Sequence, residues 1–329
     1  MSLIVVVLRN ALSAQATHIT VSPAGEIQSI GHALRAAAAG DTVTVEPGIY
    51  REHNLTISQP LSLVGIDWPV VDAANKGPIL EITASNVTVS GFEFRGTPVS
   101  YIREHAAVLL SNASRCTITG NRFRDNFFAV YLAKSDHCRI SRNDIAGSST
   151  DLTASGNAIH LWYCREIDIR DNRVSGHRDG IYLEFVKHSY MTGNVSERNL
   201  RYGLHFMFSD SCTYDRNRFD RNGSGVAVMY TNHVEMTNNL FSRSWGGASY
   251  GLLLKDIRDS RILNNQFADN SVGIYMEGSD RVHIEKNRFT ANGWALKIMA
   301  NCVASRVEKN DFIDNSFQAI PIPRKRPAW

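Results

Sequence analysis

A histidine and a methionine stand two places apart in the run NLRYGLHFMFS (199–209), at His205 and Met207, and Met229 follows 22 residues later. Two thioethers beside an imidazole form the soft donor set that favours Cu(I) over zinc, calcium or magnesium. Methionine and aromatic side chains exposed along a flat surface suit protein docking equally well, because a flexible thioether packs against varied partners. Packing beneath a loop is the third reading of the same residue types. The choice among them turns on whether the chain brings these side chains to one face.

The elements that would do so are legible as a repeat. A small residue followed by an apolar–x–apolar pattern recurs at Ala107, Ala129, Ala158, Gly180, Gly203, Gly225, Gly251, Gly273 and Ala295. An asparagine recurs in step at Asn121, Asn143, Asn172, Asn194, Asn217, Asn239, Asn265, Asn287 and Asn310. The commonest step is 22 residues, lengthened where loops are inserted. Within a unit such as GIYMEGSDRVHIEKNRFTAN the apolar period is two, which gives three short strands divided by polar turns and leaves no helical pattern. Nine such units predict an all-β chain, a right-handed parallel β-helix with three sheets and a rise of about 4.8 Å per rung. Two residues beyond the asparagines, Phe123, Ile145, Val174, Ser196, Phe219, Phe241, Phe267, Phe289 and Phe312 predict an inward ladder. The asparagines predict a stacked turn whose amides bond along the stack.

Strand alternation then sorts the outward positions. One column reads Leu109, Tyr131, His160, Tyr182, His205, Ala227, Leu253, Tyr275, Lys297, and the column two residues on reads Ser111, Ala133, Trp162, Glu184, Met207, Met229, Lys255, Glu277, Met299. His205 and Met207 therefore share a face, with Met229 one rung away. These three, with Met299 farther along the column, are the candidate Cu(I) donors. His160, Trp162, Tyr182, Glu184, Lys255 and Glu277 extend the surface for docking, with His177, Arg178 and Asp179 at its edge. By column, Met191, Met236 and Met276 point inward.

An enzyme is the alternative, since β-helices often process polysaccharides and such sites need converging carboxylates. Glu184 and Glu277 lie four rungs apart, about 19 Å at this rise, too far to act on one sugar. His177, Arg178 and Asp179 near Tyr182 remain as a proton-abstraction group for a lyase or epimerase acting on uronic-acid polymers.

Composition narrows the class. The chain is 43% apolar and 20% charged with a net charge of +3, and its one basic cluster is RKR near the C-terminus, which argues against a nucleic-acid partner. No apolar run approaches the roughly 18–20 residues that span a bilayer, so the chain is expected to carry no transmembrane segment of its own. Five cysteines without a CxxC pair exclude a zinc module or thioredoxin-like motif. Cys116 and Cys138 fall one unit apart in an inward column, a spacing a disulfide tolerates, though buried thiols are the expected state.

The organisation follows. Residues 1–16, with an apolar run Ile4 to Leu8 cut by Arg9 and small residues Ala14 and Ala16, predict a truncated signal-peptide-like leader. An N-terminal cap and first coil are expected over 17–60, with a capping helix over about 27–39 ended by Gly40. The β-helix is expected over 61–316, and a non-β tail over 317–329, where three prolines forbid a ladder, as of a chain cut short.

The runs GHRDGIYLEFV, NLRYGLHFMFS, GVAVMYT, YGLLLKDI, GIYMEGS and NGWALKIMANC resemble the NosD family of periplasmic β-helical proteins of nitrous oxide reductase maturation. The resemblance covers about 17–316 and is strongest from Gly156 onward. It implies a periplasmic, non-enzymatic accessory subunit to an ABC transporter made of an ATPase and a permease. That assembly would build the copper-sulfur site of nitrous oxide reductase, with a copper chaperone docking on the β-helix. Carried onto this chain, the family's positions are His160, Arg178, Asp179, Tyr182, Glu184, Arg201, His205, Met207, Met229, Lys255, Glu277 and Met299. The departure is at the C-terminus, where the family usually continues, which puts permease docking in doubt.

Overall fold

The computed structural model describes residues 16–319 apart from Tyr101. All of the leader expected over 1–16 except Ala16, and most of the tail expected over 317–329, lie outside the described residues. Three parallel sheets run the length of the molecule. A first wall has 13 strands, from His18–Val21 to Arg306–Glu308, a second has 12, from Leu55–Ile57 to Phe317–Ala319, and a third has 12, from Ile49–Tyr50 to Asp311–Ile313. Each rung contributes one strand to each wall in turn, so every strand pairs in register with its equivalents one rung above and below. The three-sheet β-helix is thus present, and it is longer than the nine units marked by asparagine and glycine.

The interior is a set of ladders. The rings of Phe219, Phe241, Phe267, Phe289 and Phe312 stack at centroid spacings of 4.7–5.4 Å. The polar lapse at Ser196 is satisfied, because its buried hydroxyl donates to Gly203 O at 2.7 Å. In the asparagine ladder, Asn194 donates its backbone N–H and its Nδ2 to Asn217 Oδ1 at 2.9 and 3.0 Å, and its Nδ2 also to Ile169 O at 2.9 Å. The bonds repeat along the column, so no buried amide is left unpaired there. A second such ladder, not marked in the sequence reading, includes Asn199 and Asn222, whose backbone-to-Oδ1 bond is 2.9 Å.

The small column explains how close the rungs come at one corner. A Cβ on Gly225 would stand 2.3 Å from Gly251 O, nearer than any methyl group can sit against backbone. Gly225→Ala is therefore expected to destabilise the fold by about 1–3 kcal/mol through overpacking, read as a lower urea midpoint; an unchanged midpoint would show that the rungs can part there.

A helix, Ile30–Ala36, lies over the N-terminal end and buries Ile30, Ala33 and Leu34. It is shorter than expected at both ends. Ser29 caps it by accepting from His32 N–H, and Glu52 accepts from the N–H groups of Ile30 and Gly31 at 2.7 and 2.9 Å, which satisfies the free donors of the first turn. Ala37 is already extended, ahead of Gly40. At the other end Phe317–Ala319 pairs with Trp294–Ile298, and the Phe317 ring stacks on Trp294 at 4.2 Å. The non-β tail therefore does not begin at 317, because Phe317 still falls in step with the repeat.

All five cysteines are free and buried, and Cys116 N–H donates to Cys138 Sγ at 3.4 Å. The two longest helix-free connections, Arg95 to Ala106 and Ala146 to Ile159, fall at one corner, where the third wall passes into the second, together with the shorter Asp72 to Leu80 and Ser242 to Tyr250.

Candidate functional site: one outer wall

The second wall carries the candidate residues. Its strands Ile159–Trp162, Asp179–Glu184, Tyr202–Met207, Ser224–Met229, Tyr250–Lys255 and Val272–Glu277 align His160 with Tyr182 and Tyr182 with His205. The neighbouring column aligns Trp162, Glu184, Met207, Met229, Lys255 and Glu277. Both columns read from alternation are thus side by side on one wall. Met299 follows the strand Trp294–Ile298 and donates its N–H to Met276 O at 2.9 Å. It lies three rungs beyond Met229 in this register, about 14 Å at the spacing of paired strands, so it cannot share an ion with Met207.

Met207 and Met229 are cross-strand partners and both are half-buried. Tyr182 donates its hydroxyl to Met207 Sδ at 3.7 Å, a soft contact that orients the thioether without consuming both of its lone pairs. Lys255 flanks Met229 on the next rung.

His205 is outward by column yet only 4% exposed. Tyr182 and Tyr202 cover it at ring distances of 4.9 and 4.8 Å. Arg201 Nη2 lies 3.0 Å from its Nδ1; a guanidinium can only donate, so Nδ1 accepts and the ring proton sits on Nε2. That nitrogen is buried and meets no acceptor. In this arrangement neither ring nitrogen of His205 is free to hold a metal ion.

Asp179 is not an edge residue available for docking or catalysis. It is fully buried, with Oδ1 accepting from Arg201 Nε at 2.9 Å and from Tyr202 N–H at 3.2 Å and Oδ2 accepting from Arg201 Nη2. Burial alone would push its carboxyl up, but the hydrogen bonds and the charge of Arg201 outweigh that and hold it below the usual carboxylate range. A carboxylate so clamped has little basicity left for abstracting a proton. His177, placed at the edge from sequence, is instead enclosed with both ring nitrogens unpartnered, and burial pushes it down to about 4. His160, packed between Tyr131 and Tyr182 at 4.5 and 4.7 Å, is pushed down to about 3 by the same cause. His177, Arg178, Asp179 and Tyr182 therefore do not converge as an acid/base group. Among the described residues no three His, Cys, Asp or Glu side chains gather to hold a metal.

Sequence reasoning missed the cover over His205 and an exposed aromatic column, Tyr163, Phe185, Phe208 and Tyr230, that follows Trp162, Glu184, Met207 and Met229 by one residue. Its spacing was legible; its left-handed backbone was not.

Stacked rungs that each give one strand to three parallel sheets define a parallel β-solenoid. Within that class the chain belongs to the NosD family: the family model described as "Periplasmic copper-binding protein (NosD)" matches residues 141–324, more than half of the chain. It is 28% identical over 297 residues to the "Probable ABC transporter binding protein NosD" of Pseudomonas aeruginosa, with 75% of this chain and 66% of that protein covered. Among solved structures it is similar to the mannuronan C-5 epimerase AlgE4 A-module of Azotobacter vinelandii, with a TM-score of 0.72, 16% identity and 88% and 91% of the two chains covered. It is similar also to the surface adhesin PfbA of Streptococcus pneumoniae, with a TM-score of 0.69, 13% identity and 88% and 93% covered. An epimerase and an adhesin on one fold show that architecture alone does not choose a function. No helix among the described residues is long and apolar enough to cross a membrane.

Proposed function

We propose that this chain is a periplasmic, non-enzymatic accessory protein of an ABC transporter in the assembly of the copper-sulfur centre of nitrous oxide reductase. In this reading a copper chaperone docks on the second wall, on the face bearing Trp162, Glu184, Lys255 and Glu277, and Cu(I) passes as cargo to Met207 and Met229. The family description and the name of the Pseudomonas relative support the setting. The observation that carries the ligand assignment is the register of Met207 on Met229, two half-buried thioethers on adjacent strands of an outer face. Paired soft donors with no carboxylate between them favour Cu(I) over harder ions.

The test is Cu(I) transfer from the loaded chaperone, followed by competition with a chromophoric Cu(I) chelator. The Met207→Ala, Met229→Ala double variant is expected to accept copper at least roughly tenfold less well, equivalent to about 1.4 kcal/mol. Met299→Ala, three rungs away, is expected to behave as wild type. Unchanged transfer by the double variant would remove the ligand assignment and leave docking standing.

A further inference from the structure

The aromatic column beside the methionines is itself built for an occupant. One turn recurs after eight consecutive strands of the second wall, with its first residue in the left-handed region: Asn112, Lys134, Tyr163, Phe185, Phe208, Tyr230 and Asp256 have φ of 49–55°, and Gly278 has φ of 60°. Asparagine, aspartate and glycine adopt this conformation readily, whereas bulky side chains are strained there by about 1–3 kcal/mol each. Four consecutive rungs nevertheless place aromatic rings at it. Tyr163, Phe208 and Tyr230 are 51%, 40% and 43% exposed, so the rings do not serve the core.

Their stacking says what they can receive. Successive ring centroids lie 4.5, 5.2 and 5.2 Å apart with interplanar angles of 23°, 11° and 14°. The faces are turned to one another and the edges to solvent, which rules out a sugar ring, since sugars stack on faces. Ring edges suit aliphatic and thioether side chains. The spacing matches the pitch of an α-helix, about 5.4 Å per turn, whereas same-face residues of a strand recur at about 6.6 Å. In the next outward column Arg165 and Lys187 stand beside the Tyr163 and Phe185 end. Lys187 has no ion pair among the described residues, and Lys134 lies 5.5 Å over the Trp162 ring.

We propose that the Tyr163–Phe185–Phe208–Tyr230 ladder docks an amphipathic α-helix of a partner protein, laid along the solenoid axis with one apolar residue per rung and acidic residues toward Arg165 and Lys187. The helix seats apolar side chains in the notches between ring edges, and its carboxylates meet Lys187 and also Arg165, which shares its charge with the neighbouring Glu166. Copper plays no part in this contact, so its success or failure is independent of the ligand assignment above.

The probe is a labelled alanine-based peptide of about 15 residues with leucines at i, i+4, i+7 and i+11 and glutamates along one edge of its first two turns. Binding is read by fluorescence anisotropy with a copper chelator present. The control has the same composition with the leucines scattered around the helix. Saturable binding of the patterned peptide is expected, weaker by roughly tenfold for the scattered peptide and for the Phe185→Asn, Phe208→Asn, Tyr230→Asn variant. Because asparagine accepts the left-handed turn, that variant is expected to melt within about 4 °C of wild type; should it melt earlier, Phe208→Asn alone is read in the same way. Equal affinity for the two peptides, no binding of either, or full binding by the variants would overturn the proposal. A wild-type dimer in sedimentation that Phe208→Asn dissolves would assign the ladder to a second copy instead and overturn it too.

Discussion

Asn217→Leu is expected to lower the stability of the solenoid by about 2–6 kcal/mol, because it removes hydrogen bonds from three buried groups, at about 1–3 kcal/mol for each left unsatisfied; Asn194 Nδ2 keeps its second bond, to Ile169 O. Asn217 Oδ1 accepts from both Asn194 N–H and Asn194 Nδ2, and Asn217 Nδ2 donates to Met191 O at 2.8 Å. Leucine has the same branched skeleton and a larger volume, so no cavity is left, and any strain from its bulk adds to the lost hydrogen bonds. Asn217→Asp keeps the acceptor and removes only the donors, so it is expected to fall between wild type and the leucine variant. Denaturation followed by hydrogen exchange would locate the damage: the amide protons of Asn194 and its neighbours one rung away should lose protection first. A leucine variant as stable as wild type would mean that the ladder is incidental to the fold.

Acid is expected to unfold this protein well above the carboxylate range, through two histidines. His160 and His177 sit at about 3 and about 4 in the folded chain because burial disfavours their charged forms, against an unfolded value of about 6.5. The fold thus excludes a proton that the unfolded chain would bind, so stability is complete above about pH 6.5 and falls as pH drops toward 4. At pH 5 each histidine forfeits about 2 kcal/mol, together about 4 kcal/mol. Asp179, held low by Arg201, adds its own loss only at more acidic pH. His177 is also the informative position to change. It stands at the foot of the second asparagine ladder, donating its backbone N–H to Asn199 Oδ1 at 3.2 Å while its ring bonds to nothing. His177→Asn would continue the ladder and remove roughly half of the acid loss; denaturation curves at pH 7 and pH 5 that shift equally in variant and wild type would contradict this.

Much of the architecture was legible because a solenoid converts sequence spacing directly into neighbourhood. Gly203 and Gly225, Asn194 and Asn217, and Met207 and Met229 are each 22 or 23 residues apart, and each pair meets across adjacent rungs. The N-terminal rungs escaped the count because Val43, Leu63 and Val71 supply the buried positions there without the asparagine and glycine marks. At the site, alternation gives a side chain's direction but not what lies over it. His205 points outward by parity and is closed off by Tyr182, Tyr202 and Arg201, of which only Arg201 and Tyr202 are near in sequence. The clamp on Asp179 was hidden because the 22-residue step brings Arg201 to the next rung without saying that its side chain folds back onto the carboxylate. The aromatic column was overlooked because a turn position is normally read for polarity, and its φ shows only in the structure.

The extended connections gathered where the third wall passes into the second separate two kinds of inheritance in the chain. Inside the stack any change in length would throw every later rung out of phase, so those residues are locked to a common metre. At the corner between Arg95 and Ala106, Ala146 and Ile159, and Ser242 and Tyr250 the chain can lengthen or shorten with no effect on phase. The rim beside the second wall can therefore take insertions without disturbing the register of the face it borders.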